Sequence, residues 1–284
     1  IRFNYSENAG KVIPGYIPSI GFFGTSKPSF DFIFGNQKNI RYELAKRGYL
    51  TNFSEFNEQF QQVFNSKFEI SAEIQLLKDL KIDLNANRNY SKNYSENFRV
   101  EDFNYEALNP NFYGNFSISS NMLKTSFDKK SMDQSDSFDR MKENLKIISL
   151  RLINQKGVSN IEYDDQGFPI GFSKNSQEVL IPSFISAYTG KKAEDVSLNP
   201  ISDKPKINWS IQYDGLSEAF KDIFSRISFR HSYRSNFTIN NFQSNLNYNE
   251  NSFDSNGNYE SKIFFSNINL VEQFLSLIHI WRCR

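Results

Sequence analysis

The chain of 284 residues is 38% hydrophobic and carries a formal net charge of +1. This near-neutral balance gives no electrostatic reason to expect nucleic acid, and no window of about 18 apolar residues supplies a membrane-spanning helix. Aromatic residues reach 16%, with 29 Phe and 14 Tyr, and Asn is about as plentiful as Lys and Arg together, a mixture that favours sheets and turns over helices. A chain of this composition that crosses a bilayer does so with strands.

Residues 1–8 read as the middle of a strand with no initiator Met before Ile1, so the chain is expected to be a fragment, with no leader to assess. A short helix is expected over 40–47, stopped by Gly48. The clearest signal runs over 67–89. There Phe68, Ile70, Ala72, Ile74 and Leu76 alternate with Lys67, Glu69, Ser71, Glu73 and Gln75. Leu80, Ile82, Leu84 and Ala86 then alternate with Lys81, Asp83, Asn85 and Asn87. Period-two alternation of this kind predicts two strands with one apolar and one polar face. A three-residue loop of Leu77, Lys78 and Asp79 would pair Leu76 with Leu80, Ile74 with Ile82 and Ala72 with Leu84, with Asp79 left-handed. Each strand is expected to hold about ten residues, near the length of a tilted transmembrane strand. An amphipathic sheet in a soluble protein has the same pattern, so alternation alone leaves both readings open.

Further along, 112–123 is a candidate strand, and Ser137–Lys156 carries Phe138, Met141, Leu145, Ile148 and Leu152 at helical spacing, with Asp136 as N-cap and Gly157 beyond the end. A third helix is expected over 179–189, closed by Gly190. Trp209, Ile211 and Tyr213 continue the alternation, as do Ile227, Phe229, His231, Tyr233, Ser235, Phe237 and Ile239, joined by an amphipathic turn over 214–226. One more strand is expected over 259–274. The last ten residues, 275–284, resemble a translated transposase adapter and are set aside, and with them Cys283, His279 and Trp281.

The pattern holds little catalytic chemistry, and the chain is expected not to be an enzyme and to need no cofactor or metal. His231, the one histidine left, sits in an alternating strand between Phe229 and Tyr233 and reads as a structural aromatic. Asp164 and Asp165 before Gly167 lack the spaced ligands of a calcium loop and read as a turn, and Asp133, Asp136 and Asp139 as acids favoured at a helix start. No phosphate-cradling loop, nucleophile elbow or zinc-ligand spacing occurs.

Several stretches carry a family resemblance. KDLKIDLNANRNYSKNYSENF (78–98), PSFDFIFGNQKNIRYELAKRGYLT (28–51), NFYGNFSISSNMLKTSF (111–127), DDQGFPIGFSKNSQEVLIPSFISAYTG (164–190), INWSIQYDGLS (207–217) and NINLVEQF (267–274) are together similar, in order and spacing, to the SprA/Sov family of outer-membrane translocons of type IX secretion. The resemblance spans most of 28–274. It implies an all-β fold: part of a very large antiparallel transmembrane β-barrel over 1–274, with short helices in loop insertions and one long insertion over about 101–205.

Under that reading Phe68, Ile70, Ile74, Leu76, Leu80, Ile82, Leu84, Trp209, Ile211 and Tyr213 face lipid. Lys67, Glu69, Glu73, Lys81, Asp83 and Asn85 line a hydrated lumen. The implied partners are outer-membrane lipid, secreted cargo, and the plug and shuttle proteins of the system, with no nucleic acid. The implied location is the bacterial outer membrane, and gliding motility is the associated process. A TonB-dependent receptor and a soluble β-rich adhesin or glycan-binding module are the alternatives. Barrel topology adds a constraint, because short turns share one side of the membrane. The turns at 77–79 and 214–226 should then lie together with an even number of crossings between them. Three candidates occur, so 112–123 is expected to belong to the insertion and not to span.

Overall fold

The computed structural model describes residues 1–19, 32, 36, 38–129, 131, 135–202 and 204–282. Strands take 47% of the residues and helices 17%, so the chain is a β protein with helical additions. One antiparallel sheet contains β1 (Arg2–Val12), β2 (Gln59–Leu77), β3 (Leu80–Glu101), β4 (Asn104–Ser119), β5 (Asn208–Tyr213), β6 (Phe224–Ser244) and β7 (Ile263–Arg282). The helices are α1 (Arg41–Lys46), α2 (Asp136–Lys156), α3 (Gln177–Thr189) and the single turn α4 (Leu216–Ala219). None of the described helices is long and apolar enough to cross a membrane.

The β2–β3 hairpin keeps the expected pairs Ile74–Ile82 and Ala72–Leu84. Its connection differs from the expectation: Leu77 pairs with Leu80 across a two-residue turn, Leu76 sits in a bulge, and Asp79 is not left-handed. The bulge takes up the extra residue that a three-residue loop was expected to absorb. Both strands are also about twice the expected length, at 19 and 22 residues. The alternation does continue beyond Ala86, but charged residues enter the apolar face. The two cations are accommodated by rings: Arg88 lies 5.5 Å from the rings of both Tyr90 and Phe116, and the Lys92 ammonium 4.5 Å from Phe112. The next connection, Asp102 and Phe103, has φ of 47° and 63°, the left-handed pair of a type I′ hairpin turn.

β4 and β5 occupy a single place between β3 and β6. Along β3 the ladder passes from Arg88 opposite Ile118 to Asn85 opposite Asn208. Along β6 it passes from Asn236 opposite Ser119 to Tyr233 opposite Trp209. Both neighbours advance as though Ile207 followed Ser119 directly, so β4 and β5 are two halves of one strand and residues 120–206 are an insert made without a slip of register. The insertion expected over 101–205 therefore begins later, and Phe112–Ser119 is sheet on both edges. Of the three candidate strands, 112–119 and 208–213 together make one passage of the sheet. The turns at 77–79 and 214–226 lie at the same end of the sheet, with the Asp214 amide donating to the Asp79 carbonyl at 2.9 Å.

The insert has its own core of Ile148, Ile153, Phe172, Val179, Ala193 and Val196. The cap of α2 is Ser135, whose hydroxyl accepts from the Phe138 amide, so Asp136 is a first-turn acid and not the cap. Gly157 and Gly190 close α2 and α3 in the left-handed conformation, where a Cβ is disfavoured. Asp164 forms the expected turn, its carboxylate accepting from the amides of Gln166 and Phe168 at 2.9 and 2.8 Å. Asp254 repeats it with Asn256 and Asn258 at 2.8 and 2.9 Å, and the Tyr259 amide then ties this second turn to the Gly171 carbonyl. Asp133, Cys283 and part of the 28–51 stretch lie outside the described residues. Residues 275–282, set aside on sequence, continue β7 opposite β6.

Candidate functional site

The register divides the sheet into two chemically distinct faces. Phe68, Ile70 and Ile74 lie opposite Arg88, Ala86 and Ile82, and Leu80, Ile82 and Leu84 lie opposite Tyr213, Ile211 and Trp209. The residues expected to face lipid thus share one face across β2, β3 and β5, with Leu76 at its edge in the bulge. Phe229, His231 and Tyr233 extend that face through β6, and Phe274 and Ile278 through β7. Trp209 stacks on Tyr233 at 4.6 Å, and His231 meets Phe274 edge-on at 4.8 Å, the structural aromatic role its position implied.

Lys67, Glu69, Glu73, Lys81, Asp83 and Asn85 lie on the opposite face, which is polar along β3 and β5 and along β2 apart from Val63. Lys81 lies 3.0 Å from Glu73 and 3.8 Å from Asp83, and Lys67 lies 3.7 Å from Glu69. Exposed pairs of this kind add little stability. Their effect is a wall of balanced charge. Asn85 continues it, opposite Ser71 on one side and Asn208 on the other.

The apolar face has two halves, and nothing in the alternation distinguished them. Towards the Asp102–Phe103 end it is covered by the chain itself. Segment 38–56 packs Leu44, Ala45 and Leu50 on Phe60, Phe98, Val100 and Tyr105, while the insert brings Ile185 and Ile201 onto Phe116, Ile118, Phe237, Ile239 and Phe242. Towards the Leu77–Asp79 end the cover thins to residues 122–127 of the insert, which reach Tyr233, 1% exposed, and Phe274. Leu76 is 67% exposed, Ile207 55% and Ile278 63%, and none of the ten apolar positions above belongs to a packed cluster.

A buried polar cluster fixes the cover. The Glu96 carboxylate, fully buried, receives Arg41 from α1 and the hydroxyls of Tyr94 and Tyr105. The guanidinium lies 4.4 Å from the Phe60 ring and 5.3 Å from Tyr94. Burial opposes the Arg41 charge, but the Tyr94 hydrogen bond and then the Glu96 charge outweigh it and hold its pKa above the usual value. Burial, followed by the hydrogen bond to Glu96, pushes the Tyr105 hydroxyl far above the ordinary range. Arg41 and Glu96 are far apart in sequence, and no local pattern marks them as partners.

The boundary between the halves is the seam where the insert leaves and returns. Ser119 Oγ accepts from the Asn87 amide at 3.1 Å and donates to the Lys206 carbonyl at 2.6 Å, while the Lys206 amide donates to the Ser119 carbonyl at 2.9 Å. Asn208 Oδ1 accepts from the Ser235 amide at 2.9 Å, and the Ser120 amide donates to the Ser235 carbonyl at 2.9 Å. Side chains and an exiting amide therefore replace the ladder bonds that an uninterrupted strand would make. The Tyr233 hydroxyl receives the Met122 amide at 2.7 Å and anchors the departing chain.

Among the described residues no three His, Cys, Asp or Glu side chains converge as a metal site. A scan against models of known protein families finds no match, and a search of curated proteins finds no significantly similar sequence.

Proposed function

We propose that this chain is part of the wall of an outer-membrane, protein-conducting β-barrel of the type IX secretion class, with its bare apolar half in lipid and its polar face towards a hydrated lumen. The observation that carries this reading is the uncovered half-face. On β3 it spans residues 80–86, up to where Arg88 meets Ser202 of the insert, and a rise of about 3.3 Å per residue gives roughly 23 Å along the strand. Tilted by about 35–45°, that length covers roughly 16–19 Å, the greater part of the ~25 Å apolar band of outer-membrane barrels. A contiguous apolar area left open on one half of a sheet, and filled on the other, marks a surface made for an apolar neighbour.

Most connections fit the same orientation. The bare half adjoins the short turns at 78–79 and 214–223, which belong on the periplasmic side, and the covered half adjoins the long 13–58 and 245–262 connections, with the two-residue turn at 102–103 as the exception. β1 pairs only with β2 and β7 only with β6 among the described residues, so both edges are open to further strands. The polar face of β2, β3 and β5 supplies the mechanism: closely spaced charges of both signs, with amides between them, leave little apolar surface and little net field there to hold a passing protein. Cargo then slides, and plug and shuttle proteins act at the two ends.

The test is deletion of the reading frame that contains this chain, followed by surface labelling of exported proteins. Loss of surface cargo with its accumulation in the periplasm is expected. Unchanged export would refute the function, and recovery of the protein in the soluble fraction would refute the membrane placement.

A further inference from the structure

A cavity of about 80 Å³ lies at the seam, between the covered half of the sheet and the insert. Ile118, Phe237 and Leu270 form its floor, Ile185 from α3 a wall, and Lys191, Lys204 and Lys206 reach it from the returning chain. Since roughly 10–15 Å³ of such space holds one water, the cavity has room for a group of several heavy atoms. Its chemistry is one-sided. None of the three lysines forms an ion pair, and no carboxylate lines the cavity among the described residues. Partial burial of its ammonium, and then the neighbouring positive charge of Lys206, pull Lys191 below its usual pKa, which is the situation an anion relieves. Arg88, with its Nε bonded to the Ser202 carbonyl at 2.9 Å, adds a fourth cation beside the returning chain.

Its place in the fold names the anion. Lys206 precedes Ile207, the first exposed apolar residue of the bare half, so the cations sit where the apolar face meets the covered half. A free anion in water needs no apolar floor. An amphiphile with a phosphate head does.

We propose that this cavity binds the phosphate group of an anionic membrane lipid at the outer rim of the apolar band, an inference that rests on the membrane reading above. Three ammonium groups around one phosphate match the chemistry by which basic pockets beside membrane segments hold lipid headgroups. The lipid would fill the corner between sheet and insert and fix the height of the sheet in the bilayer.

The test measures acetylation of Lys191, Lys204 and Lys206 by mass spectrometry on the whole chain. It is run in phosphocholine micelles with dioctanoyl phosphatidic acid or inorganic phosphate, and in phosphatidylcholine vesicles with or without phosphatidic acid. Exposed Lys67 and Lys81 serve as internal controls. The expected result is protection of the three lysines by the short-chain lipid at concentrations where inorganic phosphate has no effect. The K191Q/K204Q/K206Q variant, altered only at exposed side chains, should bind that lipid about a hundredfold more weakly, each lysine contributing roughly fivefold. Equal protection by inorganic phosphate would overturn the lipid assignment, and absence of protection by either would overturn the site. Protection in micelles but not in vesicles upholds the headgroup site and overturns the membrane placement of the bare half.

Discussion

The two halves of the apolar face have similar side chains and opposite surroundings. Phe116, Ile118 and Ile239 on one half are almost fully buried, while Ile82, Leu84 and Ile211 on the other retain exposure although the same strands carry them. The difference lies in what the chain brings back. Segment 38–56 and most of the insert return to the half near the Asp102–Phe103 turn, and only residues 122–127 of the insert reach past the seam, to Tyr233 and Phe274. A sheet that covers half of a continuous apolar face with dedicated segments leaves the other half open to a neighbour outside the chain.

The largest expected effects break the covered half. Phe116→Ala removes a ring 1% exposed and packed 6.3 Å from Phe237, and is expected to cost about 3–5 kcal/mol in urea unfolding, in water or in lipid alike. Arg41→Ala falls in the same range, since it leaves the Glu96 carboxylate buried without its cation. A loss below about 1 kcal/mol for both would show that the cover contributes nothing to folding and that the halves do not differ.

The next test sharpens the bare half. Ile82→Arg places a charge near the middle of the apolar band and should lower stability in lipid vesicles by about 2–4 kcal/mol. The adjacent Asp83→Arg, on the polar face, should stay within about 0.5 kcal/mol. Equal effects of the two substitutions in vesicles would remove the distinction between a lipid face and a lumen face.

How much of this was legible follows from the range of each signal. The alternation of Phe68 to Ile74 and Leu80 to Leu84 is local, so the hairpin and its two faces could be read directly, and so could α2 and α3 from their apolar spacing and closing glycines. The cover was not legible, because Arg41 and Glu96 meet only once α1 lies on β3. Nor was the seam: the skip from Ser119 to Ile207 is recorded in the partners on β3 and β6, and the strand itself has only six residues after the insert. The charged positions Arg88, Lys92 and Glu96 concealed the outer half of β3, since their neutralising rings and cation come from other elements. The turn at Asp254 was missed although it repeats the Asp-x-x-Gly pattern read at Asp164. In β7 the alternation fails, with Val271, Leu275 and Leu277 on the polar face and Glu272 on the apolar one, so its two faces could not be read from the sequence.

A smaller effect separates the halves by pH. The Tyr105 and Tyr94 hydroxyls are raised above their ordinary value of 10.0, in both cases chiefly by burial. A folded pKa above the unfolded one means that the folded state holds its proton more tightly. The associated stability is therefore complete below pH 10.0 and falls as pH rises towards the folded value. The covered half should loosen first in base, visible as faster backbone exchange in 94–105 than in 80–86. Tyr105→Phe should cost about 1.5–3 kcal/mol at neutral pH by losing its bond to the Glu96 carboxylate, and should flatten the alkaline decline. An unchanged alkaline slope in that variant would assign the decline to other groups.

The smallest expected effect lies at the seam itself. Ser119 is 1% exposed, and its hydroxyl serves the Asn87 amide on one side and the Lys206 carbonyl on the other. Ser119→Ala leaves both groups without that partner, at a cost of about 1–3 kcal/mol, the lower end applying where water enters through the adjoining cavity. The loss should be local. Exchange at the Asn87 amide should accelerate, while amides in the β2–β3 hairpin near Ile74 and Ile82 and in the cluster around Glu96 keep their rates. That outcome makes the seam a joint between two independently held halves. Acceleration spreading equally into both would mean that the insert and the sheet open as one unit, and the division of the apolar face would then have no counterpart in its energetics.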